Sequence, residues 1–230
     1  MPAVKFCGLT SPDDAREAAR LGASYAGVIF AGGPRLLSEE RAREVFAPLP
    51  PETRRVGVFG AQSPAQIAAI AASVSLDVVQ LHVVQDAELI ARVRHEMAAA
   101  VLPVEVWAVT RVADGVLPDA FTELSSAADA LVVDSLVAGS LGGTGVATDW
   151  SALAESLARH GRPGTLVLAG GLNERNVRRA IELVAPDVVD VSSGVEAIGG
   201  PPGHKDHMRM QAFAGAVAAS LPSHQTTHSR

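Results

Sequence analysis

A single cysteine, Cys7, among 230 residues excludes an internal disulfide. Positive charge is in deficit: 19 Lys and Arg stand against 25 Asp and Glu, a formal net charge of -6. Such a surface has no general attraction for a phosphate backbone or an anionic membrane, so neither nucleic acid nor lipid is expected as a partner. No apolar run approaches the roughly 20 residues that cross a bilayer as a helix. Nothing near Met1 reads as a charged segment followed by an apolar one, the mark of a signal peptide, and a cytoplasmic location is expected. Aromatics are scarce at 4%, and the 48% hydrophobic content is rich in alanine and valine, as in an ordinary soluble globular protein. The G-x-G-x-x-G fingerprint of a doubly wound open sheet is missing after the first apolar run.

What is present is an alternation. The runs "VKFC", "YAGVIF", "RRVGVF", "DVVQLH", "VEVWAV", "DALVVD", "TLVLAG" and "DVVDVSS" recur every 20 to 30 residues or so, separated by alanine-rich stretches of helical spacing. Several runs are apolar on consecutive residues, which suits parallel strands covered on both faces. Helix starts are readable at Ser11 with Pro12 behind it, Ser38, Ser63, Asp86, Asp149 and Asn173. Ser38 has Arg41 three residues on and therefore lacks a full capping box. "DGVLPDAFTELSS" is a weaker helix interrupted by Pro118, and the last helix falls within "KDHMRMQAFAGAVAAS". This pattern predicts an α/β fold: a single (β/α)8 TIM barrel with a closed, parallel, eight-stranded sheet inside a ring of helices. The barrel is expected over residues 1–221, with a disordered tail over 222–230.

In such a barrel the active site forms at the C-terminal ends of the strands. Strand one ends at Cys7, strand four at Gln80 and His82, strand six at Asp134, and strand eight at Asp190, Ser192 and Ser193. The two-residue period of a strand puts Gln80 with His82, and Asp190 with Ser192, on common faces. Cys7 and Asp134 then face one another across the mouth, a thiol base and a carboxylic acid able to move protons without a metal. A free cysteine is more often a buried small hydrophobe, and the alternative for Asp134 is a cap. "LAGGLN", "VSSGVE" and "SLGGTG" supply glycines and serines whose backbone N–H groups can approach an anion. Arg35, in "AGGPRLLS", carries a donor fork suited to a carboxylate, or is a solvated surface residue. "HKDH", residues 204–207, has helical i, i+3 histidine spacing, but no further clustered ligands complete a metal site, and none is expected.

Taken together, "KFCGLT", "PRLLS", "RVGVF", "VQLH", "LVVDS", "GGTG", "DW", "LAGGLN", "NV" and "VDVSSGVE" followed by "KD" closely resemble the phosphoribosylanthranilate isomerase family of tryptophan biosynthesis, in order from Val4 to about Phe213. The resemblance implies an Amadori rearrangement of N-(5-phosphoribosyl)anthranilate to 1-(2-carboxyphenylamino)-1-deoxyribulose 5-phosphate, with no cofactor. It implies Asp134 as the general acid at the ribose ring oxygen and Cys7 as the general base at C2. Arg35 then holds the anthranilate carboxylate, Asp190 stands near the ribose, and Gly171, Ser193 and Gly194 bind phosphate. His82 and Gly143, in "VQLH" and "GGTG", complete the expected substrate-binding set. The expected partner is the small phosphorylated sugar-anthranilate alone, bound by a monomer or homodimer.

Three positions depart from the family pattern: Val83 in place of glycine, Thr148 in place of an aromatic, and Gly60 in place of asparagine; "GGPPGH" also lengthens the loop before the last helix. Three other functions share much of this pattern. The aminoaldose isomerase of histidine biosynthesis performs the same rearrangement, but its family uses two aspartates where strand one here ends in Cys7. A non-catalytic phosphosugar-binding barrel would need neither Cys7 nor Asp134. Indole-glycerol-phosphate synthase would call for a rim lysine, and strand one offers only Lys5, two residues before Cys7.

Overall fold

The apolar runs and alanine-rich stretches become strands and helices in strict alternation. The computed structural model describes residues 1–82, 86–136 and 149–220. Its strands are β1 (Ala3–Phe6), β2 (Tyr25–Ile29), β3 (Arg54–Phe59), β4 (Val78–Leu81), β5 (Glu105–Ala113), β6 (Ala130–Leu136), β7 (Leu166–Ala169) and β8 (Val188–Val191). The helices are α1 (Pro12–Arg20), α2 (Glu39–Phe46), α3 (Pro64–Val74), α4 (Ala87–Ala99), α5 (Phe121–Ala127), α6 (Trp150–His160), α7 (Val177–Val184) and α8 (His207–Ala218). Each strand pairs in parallel with the next, and β8 returns to pair with β1, so the sheet closes on itself as the expected barrel. The tail expected over 222–230 lies outside the described residues.

Local chemistry sets most helix starts. The side chains of Ser11, Ser38, Ser63, Asp86 and Asp149 each accept a hydrogen bond from a backbone N–H of the first turn. Ser63 and Gln66 exchange these bonds as a capping box, whereas Ser38, followed by Arg41, caps alone. The start expected at Asn173 is corrected: α7 begins at Val177, after Asn176. Asn173 is held in a preceding turn, where its N–H donates to Asn176 Oδ1 at 2.8 Å and its own Oδ1 accepts from the Arg175 N–H at 2.9 Å. The weak fifth helix starts only at Phe121, clear of Pro118.

Two packed clusters reveal which way each strand residue points. Phe6, Val28, Phe59, Val79, Leu81, Leu131, Leu168 and Val189 belong to a large layer shared with the helices. Val56, Val78, Trp107, Val109, Ala130, Val132, Val167, Ala169 and Val188 form a second, inner cluster, with Ala3 and Tyr25 against it. The N-terminal end of this interior is plugged. The Trp107 ring lies edge-on to Tyr25 with centroids 4.9 Å apart, and its Nε1 donates to Glu105 Oε2 at 3.0 Å. Glu105 Oε1 in turn accepts from Arg54 at 2.7 Å, and the Arg54 guanidinium lies 5.6 Å from the Tyr25 ring centre. Counting on by twos from the inner cluster, the interior positions toward the C-terminal end are Lys5 and Cys7, Gln80 and His82, Arg111, Asp134, and Asp190. One end of the barrel is therefore filled and the other is lined with polar groups.

Trp107 is fully buried and touches both the inner cluster and the plug. Trp107→Ala should destabilise the fold by about 3–5 kcal/mol through lost burial and a residual cavity. The check is a lowered urea midpoint with an unchanged far-UV spectrum; an unmoved midpoint would show that the plug does not support the barrel.

Candidate active site

Cys7 follows β1 directly, and its backbone N–H is fixed to the Val191 carbonyl at 2.8 Å. Its side chain is 7% exposed. Lys5, one interior position below, is completely buried and reaches Asp190 Oδ2 at 2.8 Å; the two residues are direct partners in the β1–β8 register. Burial pushes the Cys7 thiol up, and the Asp190 charge adds to this, while Lys5 and then Lys205 act against it. Burial also works against a charged Lys5, but Asp190 and Cys7 outweigh it, so the ammonium is held above the ordinary lysine range. The cluster rests as an ion pair beside a mostly protonated thiol.

Asp134 lies at the same end, on β6. Burial pushes its carboxyl up and Asp190 adds to the effect, with His82 and Arg111 opposing. Burial likewise pulls His82 down, so the imidazole stays neutral near pH 7. Asp190 is thus the charge felt by both the thiol and the carboxylic acid. Among the described residues, Gln80 Oε1, His82 Nδ1 and Asp190 Oδ1 are buried with no hydrogen-bond partner. Buried polar atoms normally have partners, so this group marks where a polar molecule fits.

Arg35 is neither the solvated arginine nor the unencumbered clamp considered from the sequence. Its Nε and Nη2 donate to the two carboxylate oxygens of Glu196 at 2.6 and 2.9 Å, a fork closed across 161 residues of chain. Glu196 Oε1 also accepts from Lys205 Nζ at 3.2 Å and from the Gly203 N–H at 3.1 Å. The lengthened "GGPPGH" loop is therefore part of this arrangement, and Thr10 Oγ1 ties it down by donating to the Gly203 carbonyl at 3.0 Å. Gly8, at φ +67°, clears room for it: a Cβ there would lie 2.8 Å from Arg35 Cδ and 2.9 Å from Ser192 Oγ.

The two glycine-bearing loops after β7 and β8 are pressed together. A Cβ on Gly194 would lie 1.9 Å from the Leu172 carbonyl oxygen, so only glycine permits this approach. Gly171 stands in the first loop at φ +65°, and Ser193 and Gly194 open the 3-10 turn Ser193–Val195 in the second. "HKDH" is not a helical pair: Lys205 serves Glu196 and the Ser192 carbonyl, and His207 Nε2 lies 2.9 Å from Asp14 Oδ1. No group of three or more metal-ligating side chains occurs among the described residues. Gly143, Val83 and Thr148 lie outside the described residues. Gly60, by contrast, is placed: a Cβ there would sit 3.1 Å from the Ala31 carbonyl oxygen, which leaves little room for a longer side chain.

Sequence reasoning passed over Lys5, Arg111, Glu196 and Lys205. A signal existed for the first two, since "VKFC" and "WAVTR" carry Lys5 and Arg111 at even spacing from interior neighbours. Glu196 and Lys205 stand in the "VDVSSGVE" and "KD" stretches, but nothing local told that they pair with each other and, through Glu196, with Arg35 161 residues away.

The Glu196 site has a measurable consequence. Burial opposes its charge, but the Arg35 hydrogen bonds and the Lys205 ammonium outweigh it and hold the carboxyl down at about 2. A carboxyl depressed on folding stabilises above its unfolded value near 4.5 and loses that stabilisation as pH falls through about 2. Glu196→Gln should thus be less stable than the parent at pH 7, by a gap that shrinks below pH 4.5 and closes near pH 2. Denaturation midpoints across that range measure it; a gap independent of pH would contradict the ionised assignment.

The geometry can be set beside known proteins. The family model described as N-(5'phosphoribosyl)anthranilate (PRA) isomerase matches residues 4–216. An N-(5'-phosphoribosyl)anthranilate isomerase of Pseudomonas aeruginosa is 40% identical over 220 residues, 94% of this chain and 96% of its own. The phosphoribosyl anthranilate isomerase of Thermotoga maritima superposes with a TM-score of 0.80 at 34% identity, over 95% of this chain and all (100%) of that one. A related isomerase solved with reduced 1-(o-carboxyphenylamino)-1-deoxyribulose 5-phosphate superposes with a TM-score of 0.77 at 33% identity, over 95% of this chain and 100% of its own. With a polar mouth on a closed (β/α)8 barrel and likeness along nearly its whole length, the chain belongs to the N-(5'-phosphoribosyl)anthranilate isomerase family.

Proposed function

We propose that this protein rearranges N-(5'-phosphoribosyl)anthranilate to 1-(2-carboxyphenylamino)-1-deoxyribulose 5-phosphate in tryptophan biosynthesis, with Asp134 as general acid and Cys7 as general base. The observation that carries the reading is the convergence of Cys7 and Asp134 on one interior face, at the end of the barrel where buried polar atoms lack partners. Membership of the isomerase family agrees with it.

The chemistry uses Asp134 in the state its surroundings favour and Cys7 in the one they make scarce. Asp134, raised by burial, keeps its proton to higher pH and can give it to the ribose ring oxygen. The C1–O bond then breaks, and the anilino nitrogen lone pair forms the C1=N iminium. That cation acidifies the proton on C2, which the Cys7 thiolate removes. The S–H bond forms, the C2–H pair becomes C1=C2, and the iminium pair returns to nitrogen. The enolamine becomes the ketone when C1 gains a proton and the C2 hydroxyl loses one, so no net proton is consumed. The two transfers that open the ring and form the enolamine each use one positioned group, Asp134 for the first and Cys7 for the second.

Binding divides between the two sides of the mouth. Glu196 takes the Nε and Nη2 edge of Arg35, which leaves the Nη1 and Nη2 end of the guanidinium as a second fork. That end takes the anthranilate carboxylate, with Glu196 fixing the plane of the fork. Gly171, Ser193 and Gly194 offer backbone to the phosphate from their two touching loops, and His82 and Asp190 lie on the ribose side. Gly143 is assigned to the same substrate set from its "GGTG" motif.

Cys7→Ala and Asp134→Asn should each lower turnover at least about a hundredfold while the circular dichroism spectrum is unchanged. Initial rates followed by anthranilate fluorescence decide this, and near-normal turnover in either variant would remove that residue from its role. Running the histidine-pathway aminoaldose in parallel separates the two rearrangements. Arg35→Met should raise KM by more than it lowers kcat, since it removes a contact to the carboxylate and none to the atoms that exchange protons; an unchanged KM would exclude Arg35 as the carboxylate clamp.

A further inference from the structure

The position of Lys5 bears on how a buried thiol becomes a base. Lys5 and Cys7 are one interior step apart on the same strand, and both side chains lean over Gly27 on β2. A Cβ at Gly27 would lie 3.1 Å from Cys7 Sγ and 3.5 Å from Lys5 Cε, so the bare backbone of Gly27 is the floor that both side chains share. Lys5 is fully buried, with its Nζ 2.8 Å from Asp190 Oδ2. An ammonium has three donors, and one carboxylate oxygen does not use them all.

We propose that Lys5 is a positioning residue that makes Cys7 competent as a base: its ammonium, held by Asp190, lies against the sulfur and stabilises the thiolate. This rests on the reading of Cys7 as the general base. When the thiol ionises, the S–H proton leaves to solvent and the cluster becomes a carboxylate, an ammonium and a thiolate in a row. Asp190 is needed because a solitary buried ammonium would give up its proton. It is also a burden, since its own charge repels the thiolate.

Four charged groups act on the sulfur or are acted on by it. Lys5 comes from β1, Asp190 from β8, Lys205 from the segment before α8, and Arg35 from the loop after β2. Lys205 is committed to Glu196 and the Ser192 carbonyl, and Arg35 to Glu196. Among the described residues, Lys5 is thus the cation whose partners in the cluster are Asp190 and the sulfur themselves.

The single cysteine makes the test direct, because alkylation of the chain by iodoacetamide reports Cys7 alone. The rate follows the thiolate fraction, and its pH midpoint can be measured on the intact protein. Lys5→Met should raise that midpoint by at least about one unit, which slows alkylation at pH 7 about tenfold. The basic-side shape of kcat/KM against pH should be altered along with it, because that profile reports the free enzyme. Lys5→Met leaves Asp190 buried without a cation and threatens folding, so Lys5→Met/Asp190→Asn is made beside it. The double variant removes both charges and should still raise the midpoint, by less than the single one. A midpoint unmoved in a folded variant overturns the role of Lys5, whatever the turnover. A midpoint that rises while the kcat/KM profile stays in place overturns instead the assignment of Cys7 as the base.

Discussion

The ion pair between Lys5 and Asp190 is the interaction on which the rest of this molecule turns. It joins the first strand to the last, at the one seam where the chain's two ends must meet for the sheet to close, and the two residues are register partners there. Neither side chain has water to fall back on, at 0% and 7% exposure. A pair taken out of water gains little net stability, because desolvation offsets most of its attraction, but removing one member costs about 3–5 kcal/mol. A slip of one residue between β1 and β8 would point one of these side chains toward the helices and strand its partner inside. The pair therefore does more to specify how the barrel closes than to stabilise the closed barrel.

The same pair sets the charge of the mouth. The lower interior is satisfied within itself: Trp107, Glu105, Arg54 and Tyr25 use one another's polar edges and faces. Above Lys5 and Asp190 that self-sufficiency ends, and unpartnered atoms of Gln80, His82 and Asp190 begin. The boundary between structure and site thus falls at one layer of the barrel. Residues below it are chosen for fit, and those above it for what they leave unsatisfied.

Much of this could be read from the sequence, for physical reasons that also explain what could not. Strand and helix alternation is a local property, and so are caps such as Ser11 and Ser63, whose partners lie three residues away. Strand period puts Gln80 with His82 on one face, and, among the described residues, both carry buried atoms without partners in the barrel interior. Asn173 misled because the turn it forms uses the same side-chain-to-backbone bonding that a cap uses, while regular helix begins only four residues on, at Val177. Arg35 was recognisable as a fork but not as an occupied one, since Glu196 reaches it through strand order and not through any nearby pattern. Lys5 was visible only as the one lysine of strand one, two residues before Cys7, because nothing near it in sequence shows what a buried ammonium pairs with. Its partner identifies it, and the partner stands 185 residues away.

The two proton-transfer groups face opposite consequences of one environment. Burial raises Asp134 and Cys7 alike, and Asp190 pushes both further in the same direction. For an acid this is gain, since a carboxyl that holds its proton to higher pH has one to give. For a thiol base it is loss, since the reactive form becomes scarcer. A site that relied on burial alone would have a ready acid and an idle base. The asymmetry is partly offset by where the cations lie. Asp134 is opposed by His82, kept neutral by its own burial, and by Arg111, which is exposed to solvent and so screened. Cys7 is opposed by Lys5 and Lys205, both buried and each paired with a carboxylate; Asp190 holds Lys5 up, whereas burial outweighs Glu196 and pulls Lys205 down. A neutral imidazole and a screened guanidinium stand beside the group that should stay protonated, and buried lysines paired with carboxylates beside the group that should not. Strand closure, which puts Lys5 against Asp190, is what places the nearer of these lysines under the sulfur.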